Sequence, residues 1–202
     1  MIIALPAAVV GLSVVRLGLL ASLHVVDRGN NPIRDAVSEY AIGPARRLSA
    51  AMTWCTAVTW AVLALATWFA LPHWDRRGTA TILLAALAAI FVVLPLVPTE
   101  DGGTARTLRG KLHYLLAIAW FAIAYDLTGD FARLAARSWG GAIAGMCSVL
   151  HWVSLVSLIA LVAFLLLKPL RKYFGLAERV FLIAISLFFL IAAAGMLVHG
   201  VR

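Results

Sequence analysis

Long apolar runs separated by short polar connectors make up almost the entire chain. Six runs occur, at about 3–26, 47–71, 79–97, 110–128, 140–167 and 177–199. A helix needs about 20 apolar residues to cross roughly 30 Å of hydrocarbon, and each run is of that order. The alternating ten-residue strands of an outer-membrane barrel are absent. Backbone groups in lipid must satisfy one another, so the pattern predicts an all-α, polytopic membrane bundle of six transmembrane helices. Residues 1–202 are expected to form a single integral membrane domain. The first run has no charged leader or small-residue cleavage site, and reads as a retained span.

The connectors carry the remaining structural signals. In "DRGNNPIRDAVSEYAIGP", Asn31-Pro32 resembles a helix start and Gly43-Pro44 a stop. The stretch between them predicts a short interfacial helix of about three turns after the first span. On such a helix Asp35, Ser38 and Glu39 share one face, opposite Ile33, Val37 and Tyr40. Two carboxylates one turn apart repel, so they call for a cation, a shared proton or ample water.

Composition sharpens the class. With 63% hydrophobic and 13% charged residues, a soluble domain of 202 residues could not hide its apolar surface. The formal charge of +8 is unevenly placed. Eleven Lys and Arg residues fall in connectors one, three and five, five on the opposite side, and Arg16 lies within the first span. The positive-inside rule then expects a cytoplasmic (inner) membrane protein with those connectors inside and both termini outside. No long basic patch with interleaved aromatics appears, so nucleic acid is not an expected partner, whereas membrane lipids are. Cys55 and Cys147, each alone in a span, form no disulfide or C-x-x-C motif and read as packing residues.

The third connector, "PTEDGGTARTLRGKLH", supplies Thr99, Glu100 and Asp101, the Gly102-Gly103 pair, Arg106, Arg109 and Lys111, and ends at His113. His24 is expected at the same depth as His113. The fifth connector brings Glu178 and Arg179 to the mouth of the last span in "GLAERV". These three stretches, in this order across six spans, resemble the domain of unknown function 998 family of prokaryotic membrane proteins. Ser38, Tyr40, Gly43, Pro98, Thr99, Gly110, His113, Gly175, Glu178 and Arg179 carry the resemblance, while Val97 and Glu100 stand where Phe and Asp are usual. It implies the six-span fold and the clustering of these motifs, and no activity.

Within the spans, Arg16 is costly unless paired, with Asp126 or Asp130 as candidate partners. His151, flanked by Ser148, Ser154 and Ser157, reads as a histidine hydrogen-bonded in the bundle. A bis-histidine haem would need His24 with His113, and no cofactor is identified. Gly141 and Gly145 form a G-x-x-x-G, expected to pack within the bundle. Several of the tryptophans fall at span ends, as interface anchors do.

Three functional readings follow. The first is binding of a lipid or other amphiphile at a polar cytoplasmic-side cluster of Asp35, Glu39, Tyr40, Thr99, Arg109, His113, Glu178 and Arg179, with Arg16 as a further anion contact. The second is an intramembrane hydrolase, with Asp35, Glu39 and His113 as metal ligands or Ser38 and His113 as a nucleophile and its base. The third is an accessory subunit of a larger membrane complex. The sequence further predicts that Asp35, Glu39 and His113 approach one another.

Overall fold

The computed structural model describes residues 3–100 and 106–199. Asp101, Gly102 and Gly103, named above, lie outside the described residues. Six helices long and apolar enough to cross a membrane account for most of the chain. They are α1 (Ala4–Val26), α2 (Arg46–Ala70), α3 (Arg77–Val93), α4 (Leu108–Ser138), α5 (Gly141–Leu166) and α6 (Phe174–His199). Short 3-10 segments at Val37–Ala41, Leu94–Leu96 and Lys168–Tyr173 mark connectors one, three and five.

Each helix packs on its sequence neighbour, and α6 also packs on α1 and α4, which makes it the most buried element. Lipid is as apolar as leucine, so close van der Waals contact and interhelical hydrogen bonds hold such a bundle together. Aromatic rings supply much of that contact. Phe189 of α6 meets Trp60 and Phe131 edge-on at centroid distances of 5.0 and 5.6 Å. Trp139 is buried against Gly195, where an added Cβ would come within 2.5 Å of the indole. Trp60, Trp120 and Trp139 are thus core residues; Trp54, Trp68 and Trp152 are exposed, and of these only Trp68 lies at a helix end as an anchor would.

Helix α4 runs ten residues past the predicted end of its span. The extension contains Asp130, Arg133 and Arg137, whose charge ends an apolar window. Yet Asp130 is buried and paired with both Arg76 and Arg133, so the helix continues. At 1.5 Å per residue its length is roughly 46 Å, more than the hydrocarbon thickness.

The expected three-turn helix after α1 does not form. Asn31 closes one turn, its side chain accepting from the Ile33 N–H at 2.9 Å and its carbonyl from the Asp35 N–H at 2.8 Å. Ala36 is then extended, with ψ of 151°, and a single 3-10 segment follows. Tertiary partners decide this. Leu176 N–H takes the Ile33 carbonyl, Arg179 takes the Asp35 carbonyl, and Glu178 takes the Val37 N–H. Backbone groups that a local helix would pair are committed to α6 instead.

The G-x-x-x-G also departs from expectation. Gly141 and Gly145 are exposed, and a Cβ at either would meet nothing within 4 Å. Helix α5 turns Cys147, Ser154, Ser157 and Leu161 inward, placing the two glycines on the outer face.

Candidate functional site

A cavity of about 1160 Å³ opens among the connectors and runs into the bundle. Helices α3 and α4, and α4 and α6, touch less extensively than the other neighbours, and the cavity occupies the space this leaves. Its rim is polar: Arg34, Asp35, Ser38 and Glu39 from connector one, Arg46 and Arg47 opening α2, Thr99 and His113 around connector three, Arg171 before α6 and Glu178 in the second turn of α6. The opposite wall is apolar, built from Ala117, Trp120 and Phe121 of α4 with Leu158 and Leu161 of α5. Ile118 and Val162 line the cavity and are also exposed on the outer faces of α4 and α5, so the apolar side is continuous with the surface that meets lipid.

Three small structures build the rim. In the first, Arg179 is buried and its guanidinium donates from Nη1 to the Asp35 carbonyl at 2.7 Å and from Nε to His24 Nε2 at 2.7 Å. His24 Nδ1 lies 2.8 Å from the Leu20 carbonyl, so that nitrogen carries the proton and both ring nitrogens are engaged. Tyr40 packs edge-on against His24. Gly175 lets connector one come this close, since a Cβ there would overlap the Asp35 carbonyl oxygen.

In the second, Asp35 accepts from Asn31 N–H at 2.7 Å and from Arg34 Nε at 2.6 Å. The Arg34 guanidinium holds the Asp35 carboxyl below its ordinary value, against the opposing effect of partial burial. Glu178 turns its Oε2 to the Val37 N–H at 2.6 Å and lines the cavity.

In the third, Glu100 accepts from the Arg106 and Thr107 N–H groups at 2.7 and 2.8 Å, and from the Thr107 hydroxyl. Those bonds, the Thr107 hydroxyl first, keep its carboxyl below the usual range. Thr107 in turn caps α4 by accepting from Gly110 N–H at 3.1 Å. A Cβ on Gly110 would lie 2.5 Å from the Glu100 carboxylate. His113 donates through Nδ1 to the Val97 carbonyl at 2.9 Å.

The structure therefore brings Asp35, Ser38, Glu39, Thr99, His113, Glu178 and Arg16 to one cavity. Tyr40 and Arg179 stand behind the rim as its fastening, and Arg109 is exposed and does not line the cavity. Sharing a cavity does not make a metal centre: among the described residues no group of three or more His, Cys, Asp or Glu side chains could hold a metal ion. No hydrogen bond joins Ser38 to His113, whose Nδ1 is already committed to Val97.

Arg16 has none of the expected carboxylate partners. Asp130 is taken by Arg76 and Arg133, Asp126 is exposed, and α4 lies across the bundle from α1. Arg16 instead donates from Nε to Thr56 Oγ1 at 2.9 Å and from Nη1 to the Ser186 hydroxyl. His151 behaves as read from sequence, with Nδ1 at 2.7 Å from the Thr128 hydroxyl and its ring stacked on Tyr125.

The sequence reading missed the hydroxyl stripe of α2. Ser49, Thr53 and Thr56 line the cavity from rim to Arg16, spaced four and three residues apart on one helix face. That spacing was visible, and a polar stripe inside an apolar span is the signal that finds it. No curated protein and no solved structure matches the chain. The family model described as "Protein of unknown function (DUF998)" matches residues 5–195, and the chain, a multi-pass membrane protein, belongs to that family.

Proposed function

We propose that the protein binds a lipid or another amphiphile in this cavity, with the rim on the cytoplasmic side of the membrane. One observation carries the reading: a single space of about 1160 Å³ joins a charged rim to apolar walls that continue onto the lipid-facing surface. The volume is slightly above the range of about 300–1,000 Å³ in which proteins hold small ligands. Arg34, Arg46, Arg47 and Arg171 supply forked donors suited to phosphate or carboxylate, beside carboxylates that suit a cationic or hydroxylated headgroup. The exposed Ile118 and Val162 supply the side on which an acyl chain can pass between bundle and bilayer.

The test is to extract the protein from membranes without detergent and identify co-purified amphiphiles by mass spectrometry. A stoichiometric amphiphile is expected in the wild type and is lost in Ala117→Trp, where an indole fills the apolar wall. Equal recovery from both proteins places any bound lipid on the outer surface and overturns the reading.

A further inference from the structure

Arg16 is 6% exposed, lines the cavity, and has no carboxylate within 4 Å among the described residues. It lies about 15 Å along α1 from the connector end of that helix. Its two hydrogen-bond partners are hydroxyls whose own protons go elsewhere: Thr56 donates to the Met52 carbonyl and Ser186 to the Leu182 carbonyl. The hydroxyls fix where the guanidinium points and bring no negative charge. Two of its five N–H bonds are used, and both of those on Nη2 remain. A charge inside a bundle at this depth is costly unless a counter-charge meets it. Every other deeply buried ionisable group near the cavity is tied to backbone or an opposite charge. Arg179 is fastened to two carbonyls and His24, and Glu178 is held by the Val37 N–H.

From these observations we infer that Arg16 is the seat of an acidic group, the carboxylate or phosphate of an acidic amphiphile, held inside the bundle and not only at its rim. The inference rests on the cavity being a ligand site and assigns the class of ligand. Ser49, Thr53 and Thr56 form the polar path by which such a headgroup reaches Arg16 from the rim while the apolar portion lies against α4 and α5. The unused Nη2 hydrogens and the second Nη1 hydrogen form the fork that meets two oxygens of one acidic group.

Purified protein in neutral detergent is titrated with oleate, dodecyl phosphate, oleyl alcohol and inorganic phosphate, with binding read by native mass spectrometry. The wild type is expected to bind oleate at least about tenfold more tightly than oleyl alcohol, which carries the same chain, the scale of one charge-assisted hydrogen bond. Arg16→Gln is expected to abolish the preference of oleate over oleyl alcohol. Ser186→Asp serves where Arg16→Gln fails to fold, because it gives Arg16 an internal counter-charge. It is expected to preserve the fold and abolish the same preference. Equal affinity for oleate and oleyl alcohol in the wild type, or a preference that survives Ser186→Asp, overturns the assignment of Arg16 while the cavity reading stands. Binding of inorganic phosphate as tight as dodecyl phosphate makes the ligand a free anion and overturns the amphiphile class. Failure of all three amphiphiles to bind overturns the cavity reading itself.

Discussion

The Arg179 guanidinium reaches from α6 to the Asp35 carbonyl at 2.7 Å, joining the last helix to the first connector. Both ends of that bond belong to polar stretches that stand far apart in sequence, and the bond makes them one wall of the rim. The family-like motif residues Gly175, Glu178 and Arg179 thereby acquire separate tasks: room for a carbonyl, capture of an amide and clamping of a turn.

Breaking the clamp is expected to loosen connector one. Arg179→Ala leaves the buried Asp35 carbonyl without its donor, at about 1–3 kcal/mol, and the half-buried His24 lone pair without its own at a smaller cost. A chain of this size loses roughly 2–4 °C of melting temperature per kcal/mol. Arg179→Lys is expected to recover little, since one ammonium cannot reproduce a fork that serves two directions. Thermal melts in detergent check both. A variant that melts within a degree of wild type removes the clamp from the account.

Glycines separate into two kinds. Gly175→Ala forces a methyl against the Asp35 carbonyl and is expected to cost about 1–3 kcal/mol. Gly145→Ala meets open space and is expected to be neutral or to stabilise by up to about 1 kcal/mol through helix propensity. Paired melts decide. Should Gly145→Ala destabilise as strongly as Gly175→Ala, another helix must pack on the outer face of α5.

Acid is expected to weaken the rim. The Asp35 carboxyl has a folded-state value below its ordinary 3.8, so its contribution is fully present above that value and disappears as pH falls through the lowered one. Arg34 is exposed, so solvent screening keeps that contribution small. Melting curves between pH 6 and pH 3 are expected to fall more steeply for the wild type than for Asp35→Asn. Parallel curves would show that the pair adds nothing to stability.

The His151 contact is a second interhelical tie, remote from the rim. Thr128→Val removes the hydroxyl that meets His151 Nδ1 and is expected to cost about 0.6 kcal/mol, near the average for side-chain hydrogen bonds between membrane helices. A double-mutant cycle with His151→Phe measures the coupling directly. Zero coupling would mean that the Tyr125 stack alone positions the ring.

The amino-acid pattern alone determined the six helices and which connectors form the rim. Lipid leaves the backbone few choices, and a run of about 20 apolar residues has essentially one structure available. Local order in the Asp27–Pro44 stretch was decided elsewhere. Its helix-like caps lost to three hydrogen bonds from α6, partners more than a hundred residues away that no local rule can count. The end of α4 was misplaced for the same reason, because the charge that stops an apolar window is cancelled by Arg76 in the connector before α3. Arg16 marks the boundary most sharply. Its presence in a span announced a cost from sequence, but only the packing of α1 between α2 and α6 gave it hydroxyls in place of a carboxylate and left its charge facing a cavity.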